Sequence, residues 1–388
     1  MSSTTTPGTP ALGSSHRRLS VLHVSVASSD AVAALITAQV RDQVARGWHV
    51  SVACPSEGRL GYDVRAAGGR AHWWDAERGT GPAVIGETAR LTAILEATNP
   101  DVVHLHGAKA GLVGRLAVRD GVPTIYSPGT WSFLAGGTET KADALRWERF
   151  AARWTAGLVC TDETERRIGQ EQGIEVDSIV IPPGVDLDAF PAQGETERRA
   201  ARAALGLRPV PTVVCVGRLA LHKGQQDLLS DWPAIRERVP QAELILVGDG
   251  PDRDSLVGQA ARLRGVSLTG PRSDVPSWYA AADVVVCPSR WEGTGLTALE
   301  AMASSRSVVV TAVPRLVDAV PEEAGAVVTP DDAGGLVDAV ALRLADAGLT
   351  EDEGWNGRTH VEVNHDAKKS AHELSRLYLR VVGSRRSR

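Results

Sequence analysis

Glu292 and Glu300 stand eight positions apart in Arg290-Trp-Glu-Gly-Thr-Gly-Leu-Thr-Ala-Leu-Glu300. Between them the turn Gly293-Thr294-Gly295 opens an apolar helical stretch that begins at Leu296-Thr297. Ahead of it, Asp283-Val-Val-Val-Cys287 reads as a buried strand and Pro288-Ser289 as its break. Open α/β sheets hold their ligands at such a place, where a strand ends and a helix begins. Carboxylates there suit hydroxyl groups and repel phosphate.

Cations gather at neighbouring strand ends. Gly217-Arg218 and Lys223-Gly224 follow the apolar run Thr212–Val216, and Gly248-Asp249-Gly250-Pro251 follows Glu243–Val247. With Ser289 and the two glutamates after a third strand, and Thr311 after a fourth, these turns converge on one crevice. Arg218 offers a forked donor and Lys223 a compact charge, both suited to phosphate oxygens. Lys223 is also the only lysine between Lys141 and Lys368. A ligand with a diphosphate for the cations and hydroxyls for the carboxylates is a sugar nucleotide. No P-loop and no GxGxxG fingerprint is present, which argues against nucleoside triphosphate hydrolysis and NAD chemistry. Taken singly, Arg218 and Glu292 also read as surface side chains, and Asp249 as ordinary Gly-Asp-Gly turn chemistry. Glu300 lies among Leu299, Ala301, Met302 and Ala303, where a carboxylate needs a partner.

The elements that must position these groups alternate along the chain. Strands are expected over Val21–Ala27, Trp48–Cys54, Asp101–Leu105, Pro123–Tyr126, Gly157–Cys160 and Ser178–Ile181, with helices between them. The rhythm breaks at Pro182-Pro183-Gly184, and the stretch from Asp186 to about Arg208 is polar and arginine-rich. It resumes at Thr212 and runs to helices at Asp332–Asp346 and His365–Val382. The simplest architecture is α/β, with two Rossmann-like domains facing each other across a cleft. The expected division is a disordered leader over 1–20, a first domain over 21–190, a linker over 191–210, a second domain over 211–364, and a closing helix with a basic tail over 365–388.

A chain of 388 residues exceeds one ordinary core. Its net charge of −5 speaks against a nucleic-acid partner. No apolar run reaches the roughly 18 residues of a membrane span, and the Ser/Thr/Pro-rich start lacks the apolar segment of a signal peptide. Cys54, Cys160, Cys215 and Cys287 each sit in or end an apolar run without a CxxC pair, as buried free thiols of a reducing cytoplasm would.

Several segments together resemble the retaining glycosyltransferases of the GT-B fold, in particular glycosyltransferase family 4. Val216-Gly-Arg-Leu-Ala-Leu-His-Lys-Gly224 is similar to that family's VGRL-x3-KG, and Leu246-Val-Gly-Asp-Gly-Pro251 to its VGDGP. Ala282–Ser289 followed by Glu292–Ala303 resembles its block with two glutamates. Asp101-Val-Val-His-Leu-His-Gly107 and Ile181-Pro-Pro-Gly-Val-Asp186 match in the first half. The resemblance implies that Arg218 and Lys223 neutralise a departing diphosphate, that Glu292 holds donor-sugar hydroxyls and that Glu300 holds the nucleotide ribose. Gly217, Asp249, Gly250, Ser289, Gly293, Thr294, Gly295, Leu296 and Thr297 would line the donor site. It further implies a UDP- or GDP-linked donor, retention of configuration, and no metal or other cofactor. The acceptor would be a glycan, a lipid-linked or a small molecule, in polysaccharide or glycolipid assembly in the cytoplasm or at the inner face of the membrane.

The first half departs from the family pattern. Ser127-Pro-Gly-Thr-Trp131 carries Gly129 where the family has a histidine, and Ser28-Ser29-Asp30-Ala31 replaces a glycine-rich loop. Ser304-Ser-Arg-Ser-Val308 and Val313-Pro-Arg-Leu-Val-Asp318 replace its G-x-PV and GG-x-x-E segments. Two hypotheses follow: an active transferase that uses His106, Thr130 or Ser28 near the sugar or acceptor, and a protein that binds sugar nucleotides with weak or no turnover. A nucleotide-sugar epimerase on the same scaffold is a further alternative. Of His104 and His106, one is expected in the core, and His106, nearer the strand end, at the ligand. No third histidine at metal-binding spacing is evident. Trp73, Trp74, Trp131 and Phe133 are candidates to stack on sugars or touch lipid, and Arg380, Arg385, Arg386 and Arg388 to meet anionic lipid.

Overall fold

The computed structural model describes residues 18–28, 31–77, 79, 81–134, 138–330 and 332–386. The leader expected over 1–20 falls almost wholly outside them, as do Ser29, Asp30 and Arg388. The first sheet contains β1 (Ser20–Ser25), β2 (His49–Cys54), β3 (Arg70–Trp73), β4 (Val102–His106), β5 (Thr124–Ser127), β6 (Gly157–Cys160) and β7 (Ser178–Val180), in spatial order 3-2-1-4-5-6-7. The second contains β8 (Thr212–Val216), β9 (Glu243–Val247), β10 (Val266–Leu268), β11 (Val284–Cys287), β12 (Ser307–Thr311) and β13 (Gly325–Val328), in order 10-9-8-11-12-13. Every pairing within the two sheets is parallel.

Parallel strands covered on both faces read as continuous apolar runs, and β11 shows why. Val285 and Cys287 pack with Met302, Leu299 and Leu316 on one face. Val284 and Val286 pack with Leu229, Trp232 and Val340 on the other. Each buried Val or Leu contributes roughly 1.5–3 kcal/mol of transfer free energy, so neither face is free to turn outward. All six strand ends therefore open on the same edge of the second sheet.

The structure contains elements that the sequence reading does not give. Residues 195–205, inside the polar stretch taken for a linker, form the helix Glu195–Leu205. Glu197 accepts from the Gly194 backbone N–H at 2.9 Å. Arg198 and Arg202 reach Asp283 at 3.2 and 2.6 Å, which docks this helix at the foot of β11. Its arginines make the attachment, so the charge that suggested a solvated linker belongs to a docked helix. The sequence reading also passes over β3, β13 and the helix Ala347–Asn364, whose apolar positions are sparse. The last helix, Ala367–Arg386, returns to the first sheet and buries Leu374, Leu377 and Tyr378 against Leu19, Val21 and Ile36.

The turns at the active edge are close-packed backbone. Gly248 has φ of 149°, and a Cβ there would overlap the carbonyl oxygen of Gly217. Gly224 has φ of 68°, and a Cβ there would overlap the Pro288 carbonyl. The turn that carries Lys223 is thereby seated on the end of β11. Gly224→Ala combines a left-handed backbone with this overlap. It is expected to lower unfolding free energy by about 2 kcal/mol, measured by urea denaturation.

Candidate active site

The order of the second sheet reverses between β8 and β11, so a crevice opens at their carboxyl ends. Lys223 enters it from the turn after β8 and Glu292 from the loop after β11. Their charges meet at 2.5 Å (Lys223 Nζ to Glu292 Oε2), both largely buried. Ser289 Oγ donates to the same carboxylate oxygen at 3.2 Å, and the Gly293 N–H donates to Oε1 at 3.1 Å. Lys223, Glu292, Ser289, Thr297 and Gln225 line one small pocket. Gln225 steadies the approach by donating to the Arg218 carbonyl at 2.9 Å. Arg290 clasps Asp227 at 2.8 and 2.7 Å and ties the glutamate loop to the helix Gln225–Arg238.

The helix Leu296–Ala303 starts after Gly295 and carries Glu300 one turn along. Thr294 Oγ1 accepts from the Leu296 N–H at 3.4 Å, and Thr297 is part-exposed in the first turn. Tyr279 donates its hydroxyl to Glu300 Oε2 at 3.1 Å, which is the partner its apolar neighbours required. Burial pushes the Glu300 carboxyl up to about 7, and the Tyr279 hydrogen bond pulls in the opposite direction. Glu300 can therefore accept or donate a hydrogen bond near neutral pH.

Arg218 lies exposed at the end of β8, and its guanidinium has no partner among the described residues. Asp249 is also exposed; it caps its own turn by accepting from the Gly250 N–H at 2.9 Å and lies 3.9 Å from Arg253. Both remain at the strand-end edge, but Asp249 is spent on turn and surface chemistry. Gly217 and Gly250 take part as backbone: the Gly217 N–H bonds the Val247 carbonyl at 3.0 Å, and Gly250 packs on Leu219.

In the first domain the expectations fare differently. The Ser28 carbonyl accepts from the Arg59 and Leu60 N–H groups at 2.8 Å each, and Thr130 Oγ1 donates to the Gly129 carbonyl at 2.8 Å. Among the described residues neither makes a hydrogen bond to the second sheet's crevice. His104 and His106 do not part as expected. Residues i and i+2 share a strand face, so their rings lie 4.0 Å apart in the core. His23 joins them, a third histidine that spacing along the chain could not reveal, since it arrives by sheet pairing. Trp74, Trp131 and Phe133 are buried packing residues; Trp73 is half-exposed beneath Arg65. Arg385 is engaged by the Gly121 and Asp120 carbonyls.

Sequence reasoning missed Arg315. It projects from the helix Pro314–Ala319 of the second domain and pairs with Asp162, which caps a first-domain helix. It also donates to Thr161 Oγ1 and, at 3.0 Å, to the Gly129 carbonyl, and lies 3.7 Å from Glu165. The signal was present in two separate departures, at Gly129 and at Val313–Asp318; the fold shows that they meet across the cleft.

Two parallel sheets, with a cation and a pair of carboxylates at the switch point of the second, have the architecture of the GT-B class. The family described as "Glycosyl transferases group 1" matches residues 210–346, and the "Glycosyl transferase 4-like domain" matches residues 31–184. A lipopolysaccharide core biosynthesis mannosyltransferase of Rhizobium meliloti is 30% identical over 247 residues, 60% of this chain and 68% of that protein. A D-inositol 3-phosphate glycosyltransferase of Kribbella flavida is 32% identical over 302 residues, 70% of each chain. The fold superposes on a sucrose-phosphate synthase structure from Thermosynechococcus elongatus with a TM-score of 0.79 at 22% identity, over 95% of this chain and 100% of that one. The structure of Anabaena HepE in complex with UDP and glucose matches with a TM-score of 0.79 at 19% identity, over 92% and 99%. The chain belongs to the group 1 glycosyl transferases.

Two outcomes follow. The Glu300 carboxyl rises from 4.5 to about 7 on folding. Its contribution to stability is therefore full below pH 4.5 and is lost as pH rises through 7. Urea unfolding across this range should show a decline in the wild type that Glu300→Gln lacks. Arg315→Ala removes the bond between domains, and small-angle X-ray scattering should report a larger radius of gyration; an unchanged value would mean that other contacts hold the cleft.

Proposed function

We propose that this transferase moves a sugar from a nucleotide-diphosphate-sugar to a hydroxyl of a glycan, lipid-linked or small-molecule acceptor, with retention of anomeric configuration. The observation that carries the reading is the Lys223–Glu292 pair at the β8–β11 switch point, with Ser289 on the same carboxylate. Without donor, each charge neutralises the other in a poorly solvated place. With donor, the diphosphate competes for Lys223 and the sugar hydroxyls for Glu292, so binding separates the pair toward the two ends of the breaking bond. As the sugar–phosphate bond lengthens, negative charge grows on the leaving diphosphate. Lys223 and the exposed Arg218 guanidinium then gain attraction, which is how positioned charge lowers a barrier. Glu300 meets the ribose diol. With two cations to balance the diphosphate, the donor site works without a metal or other cofactor.

Relatives differ in donor: one of Escherichia coli is named for UDP-Gal and one of Mycolicibacterium smegmatis for GDP-mannose. The relatives named here are transferases, which leaves the epimerase alternative without support. A second reading, donor binding without turnover, draws on Gly129 and on Arg315 spanning the crevice beside it. No helix among the described residues is long and apolar enough to cross a membrane. We place the reaction in the cytoplasm, with contact at the inner membrane face as a separate question for liposome co-sedimentation.

A thermal-shift screen of UDP- and GDP-sugars should raise the melting temperature with one nucleotide class, since binding stabilises by mass action. With that donor, Lys223→Ala or Arg218→Ala should lower kcat by on the order of 10²–10³-fold, read in transfer and donor-hydrolysis assays. Binding with no turnover by the wild type across a broad acceptor panel would favour the second reading. No shift with any sugar nucleotide would overturn both.

A further inference from the structure

Three histidines meet in the first domain, away from the donor-site carboxylates. β1 and β4 flank the switch point of the first sheet, and in their parallel register His23 lies directly beside His104, with His106 one pleat further on. All three rings project to one face. His23 Nδ1 is 3.0 Å from His106 Nε2, and with one nitrogen taken from each ring the three lie within 4.8 Å of one another. His23 and His104 are fully buried, and His106 is 7% exposed.

The rings are held from outside the cluster. His23 Nε2 donates to Gln43 Oε1 at 2.9 Å, which leaves the lone pair on Nδ1 facing inward. His104 meets the Tyr378 hydroxyl through Nδ1 at 2.5 Å and Ser127 Oγ through Nε2 at 2.7 Å. Outer hydrogen bonds of this kind orient imidazole ligands around a metal.

We propose that His23, His104 and His106 bind one divalent transition-metal ion of the zinc class. Three imidazoles with a fourth position left to water is a known zinc arrangement, with Zn–N of about 2.0–2.1 Å, and imidazole also suits copper and nickel. Two nitrogens on a tetrahedral ion at that bond length stand roughly 3.4 Å apart, close to the 3.0 Å between His23 Nδ1 and His106 Nε2. In the metal-free molecule His106 donates its Nε2 proton to His23 Nδ1. On uptake that proton moves to His106 Nδ1, both inward lone pairs go to the ion, and no proton is released. His104 exchanges one of its two hydroxyl partners for the metal. The ion ties β1 to β4. It takes no part in the donor chemistry, so this inference and the proposed function stand or fall separately.

The test uses the full-length chain, purified without chelator and with any histidine tag removed. Elemental analysis should find about one equivalent of zinc-class metal per chain. Stripped protein should take up Co²⁺ with the visible d–d bands of a nitrogen-ligated site and regain several degrees of Tm. His23→Ala and His106→Ala should lose those bands, while His49→Ala, on the surface, should keep them. Stripped wild type that remains folded by circular dichroism yet shows no Co²⁺ bands at millimolar ion overturns the proposal, as does undiminished binding by a folded His106→Ala. Should the alanine variants not fold, titration of the stripped wild type decides alone.

Discussion

Lys223 and Glu292 hold each other at a distance that only mutual neutralisation makes tolerable for two largely buried charges. Much of the second domain serves that meeting. The two residues are separated by three strands, and they meet because β8 and β11 are adjacent, parallel and in register at Val213–Val214 and Val284–Val285. The adjacency is itself enforced by apolar faces on both sides of β8 and β11. The turns must then approach backbone to backbone, which is why glycine stands at positions 224 and 248. Stability and site geometry are in this sense one constraint: a Cβ that spoils the turn also displaces the ammonium.

The first domain contributes a different kind of interaction. Arg315 reaches across the cleft and finds acceptors in a carboxylate, a hydroxyl and a backbone carbonyl. The carbonyl belongs to Gly129, where the family's histidine would stand. Loss of a side chain on one wall and gain of a long cation on the other are thus one spatial event. Burial lowers the Arg315 pKa from its ordinary value.

Much of the candidate site was legible because its residues lie in short segments with strong local signals. Glycine next to a strand end, a proline break and an apolar helix start are decided by nearest neighbours, so Gly217, Ser289, Gly295 and the helix at Leu296 could be placed from pattern. β8 and β9 match their expected bounds for the same reason. The helix Glu195–Leu205 was not legible, because its docking runs through arginines to Asp283 and composition alone makes such a stretch look solvated. The histidine cluster was hidden by distance along the chain, and the expected separation of His104 and His106 failed because alternate residues of a strand point the same way.

What the sequence determined by itself was the two-domain α/β character, the family, and the side chains available at the strand ends of the second sheet. These depend on apolar period and turn chemistry, which act over a few residues. Tertiary structure alone decided which charges pair. It paired Lys223 with Glu292 and left Arg218 free among the described residues. It joined Arg315 to Gly129 and gathered three histidines from two strands. Such contacts span tens to hundreds of positions, and their partners are chosen by strand order and domain approach, which no local pattern encodes.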